Sequence, residues 1–153
     1  MSLIRKLSVA LGAVGLSLAI AAPALAQFAK PEDAIKYRQS AFQVMGTHFG
    51  RLAGMARGAI PYDAARAQES ARIVNEMAKL PWEGFVPASD SAPAKVKGDP
   101  LANLADISGL KDKLLAETGK LGGAAGNLDS LKAAVGATGG ACKSCHDKYR
   151  QTN

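Results

Sequence analysis

GGACKSCHDKYRQTN, residues 139–153, contains both cysteines of a 153-residue chain and one of its two histidines. Cys142 and Cys145 stand three apart and His146 follows directly. On a helix, positions i, i+3 and i+4 share one face, so the two thiols and the imidazole converge on a common point. What they converge on depends on where the chain resides. Residues 1–26, MSLIRKLSVALGAVGLSLAIAAPALA, run from Arg5 and Lys6 through an apolar stretch, Leu7–Ile20, to Ala24-Leu25-Ala26. That order predicts a bacterial export signal cleaved after Ala26. Leu7–Ile20 is too short to span a bilayer, and Pro23 follows it. The mature chain is then expected to be residues 27–153, one domain in the periplasm with no membrane segment.

In an oxidising compartment two cysteines pair by default. A Cys142–Cys145 bridge would close a very small loop and restrict the unfolded chain little. A thioredoxin-like dithiol needs a strand leading into its helix, and LKAAVGATGGA, residues 131–141, offers none. Zinc needs further donors, and His48 is the only other histidine. Cys-x-x-Cys-His as a covalent c-type haem attachment meets neither objection, with a dithiol or zinc protein as the remote alternative. Loss of Arg5 and Lys6 lowers the formal charge from +6 to +4. The remaining cations and acids are interspersed, with no basic stripe of the kind that tracks nucleic acid.

The rest of the chain reads as four amphipathic helices. Pro31 with Glu32 and Asp33 opens the first, expected over about residues 32–56. Its stripe is Ile35, Arg38, Phe42, Met45, Phe49 and Leu52. Pro61-Tyr62-Asp63 breaks the chain and caps a second helix carrying Ala67, Ser70, Ile73, Val74, Met77 and Leu80, which ends before Pro81. Residues 81–103 form a long connection in which Trp82 and Phe85 are expected to pack inward. A third helix carries Leu104, Ile107, Leu110, Leu114, Leu115, Thr118 and Leu121, with Gly122-Gly123 expected to stop it. Asn127 or a neighbour caps the fourth, where Leu128, Leu131, Ala134 and Val135 precede the cysteines. Gly136, Gly139 and Gly140 leave open whether this helix is continuous, since each costs about 1 kcal/mol against alanine. The expected fold is all-α, an antiparallel up-down-up-down four-helix bundle with covalent haem inside.

These features together resemble cytochrome c′, the class II c-type cytochromes of the bacterial periplasm. QFAKPEDAIKYRQSA (residues 27–41), LPWEGF (80–85) and CKSCHDKYR (142–150) carry the resemblance, which covers essentially all of residues 27–153. It implies thioethers at Cys142 and Cys145, and His146 as the proximal iron ligand. Arg150 matches a basic residue beside that histidine. Arg38 and Gln39 match a pair near the haem edge and propionates, and Trp82 and Phe85 match pocket aromatics. Phe42 falls where the family sets an apolar side chain over the distal face, and it is bulkier than the aliphatic residue of many members. The resemblance implies five-coordinate, high-spin iron that binds NO and CO or passes single electrons, in a carrier rather than an enzyme. It also implies a homodimer through the first two helices, for which Ala53, Met55, Ala59, Ala65 and Ala71 look surplus to one core.

The alternative is a six-coordinate electron carrier with Met45, or less readily His48, as second axial ligand. Met45 lies about 60° around the helix from Phe42, and His48 about 120°, at the edge of the stripe. A surface or helix-contact role suits His48 better. Lys111, Lys113, Lys120, Lys132, Lys143 and Lys148 read as a solvated face that could guide an acidic redox partner, whose identity the sequence leaves open.

Overall fold

The computed structural model describes residues 27–87, 89 and 94–151. The expected export signal, residues 1–26, lies outside the described residues. Among the described residues there are four α-helices: α1, Pro31–Ala56; α2, Ala64–Met77; α3, Leu104–Ala124; and α4, Leu128–Tyr149. They pack in a ring, α1 on α2 and α4, α3 on α2 and α4. Among the described residues there is no β-strand beyond one isolated bridge, and no helix is long and apolar enough to cross a membrane.

Local chemistry sets the helix starts. Pro31 occupies the first turn of α1, with Glu32 and Asp33 beside it at the positive end of the helix dipole. Asp63 accepts from the Arg66 amide at 2.9 Å and caps α2. Asn127 accepts from the amides of Asp129 (2.9 Å) and Ser130 (3.1 Å) and caps α4. The start of α2 lies at the end of α3, where the Tyr62 hydroxyl donates to the Ala125 carbonyl at 2.8 Å. The core of Leu52, Val74, Leu114, Leu121 and Leu131 then closes along the bundle axis.

Three expectations are corrected. Gly122-Gly123 does not stop the third helix, which runs on to Ala124. A helix-stopping signal is a local preference of about 1 kcal/mol per glycine. Leu121 and Ala125, both fully buried, hold this segment in the bundle and override it. α2 ends at Met77, before Leu80, because the chain turns into a short 3₁₀ turn over Pro81–Gly84. Ala53, Met55 and Ala71 are not surplus: all three are buried within the single chain, where small side chains let α1 and α2 approach closely. Ala59 and Ala65 are exposed. The open question about α4 is settled in favour of one continuous helix through Gly136, Gly139 and Gly140.

Candidate functional site

The middle of α1 (Arg38 to Phe49), Trp82 and Phe85 at the 3₁₀ turn, the segment before α3, the inner face of α3 (Leu110, Leu114 and Thr118) and the second half of α4 line one cavity of about 850 Å³. All nine residues singled out as site candidates line it: Arg38, Gln39, Phe42, Trp82, Phe85, Cys142, Cys145, His146 and Arg150. Met45 also lines it and is buried. His48 does not. Its Nδ1 lies 3.4 Å from both Ser70 Oγ and Arg51 Nη1, so it sits at the α1–α2 contact.

One wall is aromatic. Phe42 meets Trp82 edge-on, ring centroids 6.2 Å apart, and Trp82 stacks on Phe85 at 6.1 Å. The indole is fixed by its Nε1, which donates to the Ala78 carbonyl at 2.6 Å. Arg38 completes this wall from α1 and is only 2 % exposed. Its guanidinium lies 4.4 Å over the Phe85 ring and donates to the Gly84 carbonyl, to Ser89 Oγ (3.1 Å) and to the Ser89 carbonyl (2.7 Å). A buried charge is tolerated where it is hydrogen-bonded in this way. Here it ties α1 to the chain after the 3₁₀ turn.

α4 supplies the opposite wall. Burial pushes the Cys142 thiol above its ordinary pKa. Burial also raises Cys145, with the negative charge of Asp106 adding to it. Both sulfurs are therefore thiols at neutral pH, the opposite of the depressed pKa that marks a redox-active dithiol. His146 is pushed down, first by burial and then by the positive charge of Arg150, and Asp147 partly offsets them. Its imidazole is neutral near neutral pH, the form that ligates metals. Among the described residues no three His, Cys, Asp or Glu side chains gather as a metal cluster, so zinc gains no support.

A segment missed at the sequence level closes the lower edge. Ala94, Lys95 and Val96 line the cavity, and Val96 forms an antiparallel bridge with Arg150. The Lys97 amide donates to the Tyr149 carbonyl (3.1 Å), and the Gln151 amide to the Lys95 carbonyl (3.0 Å). Thr138, one turn before Cys142, lines the cavity and buries a hydroxyl that has no hydrogen-bond partner among the described residues. No periodicity marks residues 94–96, whereas Thr138 lies four residues before Cys142, on the face that carries the cysteines.

The donor set fits haem c. Two thiols and a neutral imidazole share one helix face, and the cavity lies within the roughly 300–1,000 Å³ of cofactor sites. Among the described residues its wall carries Arg38, Lys95, Lys143 and Arg150 and no carboxylate, which suits a group bearing two propionates.

Comparison with known proteins reaches the same class. The family model "Cytochrome C'" matches residues 33–150. A cytochrome c′ from Rubrivivax gelatinosus is 44 % identical over 128 residues, covering 82 % of this chain and 99 % of the relative. Its crystal structure superposes with a TM-score of 0.77, covering 82 % of this chain and all of that one (100 %). A nitric oxide complex of a cytochrome c prime variant from Alcaligenes xylosoxidans gives a TM-score of 0.76 at 38 % identity, covering 82 % of this chain and 100 % of that one. A carbon monoxide complex of another variant gives the same TM-score, 0.76, with the same coverage, 82 % and 100 %. This is a c-type haem protein built on a four-helix bundle. The chain belongs to the cytochrome c′ family, whose cofactor is covalently bound haem c.

Proposed function

We propose that the mature protein is a periplasmic haem protein that binds NO and CO and exchanges single electrons at five-coordinate iron. The observation that carries this reading is the cavity in which the Cys142–Cys145–His146 face of α4 opposes Phe42 of α1. Haem supplies the redox-active, gas-binding iron; the chain supplies everything around it. Cys142 and Cys145 would hold the porphyrin through thioethers, and His146 would ligate the iron. Arg150 stands beside His146, and its charge favours the neutral imidazole. Arg38 and Gln39 would lie towards the propionates, and Trp82 and Phe85 would shield the haem from water.

Phe42 walls the distal face and cannot coordinate a metal. Neutral NO and CO need less polar help than dioxygen, which gathers negative charge when bound. The NO and CO complexes of the Alcaligenes xylosoxidans relative support the same ligand class. Met45 is the second-ligand alternative, and its place in the buried core cluster with Leu52 and Val74 favours a packing role. A homodimer through α1 and α2 is part of the reading. Its support is that Val44 (42 % exposed) and Ile60 (40 %), two large exposed apolar side chains, lie on α1 and on the α1–α2 link.

Intact mass spectrometry of protein matured in a periplasm tests the haem attachment and the signal together. The expected mass is residues 27–153 plus one haem that acid–acetone does not extract. An extractable haem ends the thioether assignment, and a retained Met1 ends the signal assignment. On the same material, Phe42→Ala should speed CO association and Met45→Ala should leave a high-spin spectrum unchanged. A low-spin spectrum that Met45→Ala turns high-spin would make Met45 the sixth ligand.

A further inference from the structure

The residues that would hold haem do not use the whole cavity. They lie on α1, at the 3₁₀ turn and in the last turns of α4, where Cys142 is the innermost of them. Beyond Cys142 the cavity continues into the bundle. Met45 and Phe49 of α1, Val74 of α2, Leu114 and Thr118 of α3 and Thr138 of α4 line that inner end. By helical rise Thr138 stands about 6 Å inward of Cys142 and about 12 Å from the level of His146. The cross-helix bonds Lys148–Asp106 and Lys113–Ser144 fix α3 antiparallel to α4 and set Thr118 level with Thr138. Phe49 reaches the same level, since its Cζ lies 3.8 Å from where a Cβ on Gly139 would stand. None of the six side chains is charged, and all but Phe49 are buried.

One polar atom there has no partner. Thr138 is 1 % exposed, and its Oγ1 is the one buried side-chain oxygen or nitrogen among the described residues that makes no hydrogen bond. An unpaired buried hydroxyl destabilises a fold, and native proteins keep few of them. The Thr118 hydroxyl does not answer it, being engaged 3.3 Å from the Leu115 carbonyl and 3.4 Å from Asn75 Oδ1. Thr138 therefore has a proton to donate into a space whose other walls are a thioether, an aromatic ring and methyl groups. A buried water is held by about two to four hydrogen bonds, more than this wall offers, whereas apolar cavities take up small apolar species such as xenon. An ion finds no countercharge among the six side chains. What fits is a small neutral molecule that accepts at most one weak hydrogen bond.

We propose that the inner end of the cavity is a docking site for an unbound diatomic gas, NO or CO, held against the Thr138 hydroxyl; the inference rests on the haem reading above. No bond is made or broken at this site. A gas molecule that leaves the iron is retained one turn inward of Cys142 and returns from there. The fraction that rebinds before escaping to solvent rises accordingly. The apolar walls hold the gas, and the hydroxyl gives it an orientation.

The haem-loaded protein with CO on ferrous iron tests this, because the metal is then diamagnetic and its open position is filled. Xenon under pressure reports on the rest of the cavity. The methyl signals of Val74, Leu114 and Thr118 should shift with xenon and saturate, while those of the exposed Val44 should not. Thr138→Leu, which extends the side chain into the inner end, should abolish those shifts. Thr138→Val keeps the volume and removes the hydroxyl, so xenon, which takes no hydrogen bond, should still bind. At cryogenic temperature, photolysis releases CO inside the cavity, and infrared absorption reads the freed molecule. Its stretching band should differ between the parent and Thr138→Val, while the band of iron-bound CO stays unchanged. Val74 and Leu114 methyls that ignore xenon in the parent overturn the proposal, as do shifts that persist in folded Thr138→Leu. A freed-CO band that is the same in the parent and Thr138→Val overturns it too. So does a bound-CO band that moves with Thr138→Val, which would put the hydroxyl on the iron-bound gas. If Thr138→Leu fails to fold, the parent and Thr138→Val decide the matter between them. A parent that carries no haem, or whose reduced form takes up no CO, overturns the haem reading beneath the proposal instead.

Discussion

Replacing Gly84 with alanine would set a Cβ 2.7 Å from the Ala34 carbonyl oxygen and 2.8 Å from Arg38 Cβ. Both neighbours belong to α1, and Ala34 is fully buried, so neither can swing aside. Ordinary contact begins near 3.4 Å, so the 3₁₀ turn must lift from α1 by about 0.7 Å. Overpacking of this kind costs about 1–3 kcal/mol. The lift also draws the Gly84 carbonyl and Ser89 away from the Arg38 guanidinium, and a hydrogen bond to a charged group contributes about 1.5–3 kcal/mol. The combined loss is about 3–5 kcal/mol, a fall in Tm of roughly 10–20 °C for a domain of this size. Thermal unfolding of the holoprotein, followed by far-ultraviolet circular dichroism, measures it. Gly122→Ala is the matched control: a Cβ there meets nothing within 4 Å, and the change should stabilise α3 by about 1 kcal/mol. If Gly84→Ala melts within about 2 °C of the parent, the contact between the turn and α1 is not what holds the aromatic wall.

Thr138→Val removes a buried hydroxyl that has no partner among the described residues, and an unsatisfied buried donor costs about 1–3 kcal/mol. Urea unfolding should show no loss and a gain near 1 kcal/mol, whereas a loss of that size would reveal a partner for the hydroxyl. The Tyr149 hydroxyl donates to Asp106 at 2.7 Å, and that bond is the main cause of a Tyr149 pKa pushed up to about 12. Its stabilising share is complete below about pH 10, the ordinary tyrosine value, and is lost as pH rises towards 12. Asp106 is held below the usual carboxylate range by hydrogen bonds from Lys148 and then Tyr149. Its share is therefore present above that range and lost as pH falls through the native value. Tyrosinate absorbance should show a late titration for Tyr149, and Asp106→Asn should return it towards 10. An unmoved titration would mean that the bond does not persist in solution.

Much of this protein is written locally. The convergence of Cys142, Cys145 and His146 follows from spacing along a single helix. The caps at Asp63 and Asn127 each involve residues within three positions of one another. Such features depend on nearest neighbours, so the sequence alone was enough to find them and to name the cofactor. The stripe on α1 likewise placed Arg38 and Phe42 on the inner face. Other features depend on residues far apart in the chain, and only the folded bundle decided them. Arg38 is buried because Gly84 and Ser89, 46 and 51 residues away, turn their oxygens to it. Lys95 reaches the cavity wall because Tyr149 and Gln151 pair with the backbone of the segment that carries it. Gly122-Gly123 stays helical, and Met55 and Ala71 go inward, because burial across the bundle outweighs a local preference of about 1 kcal/mol.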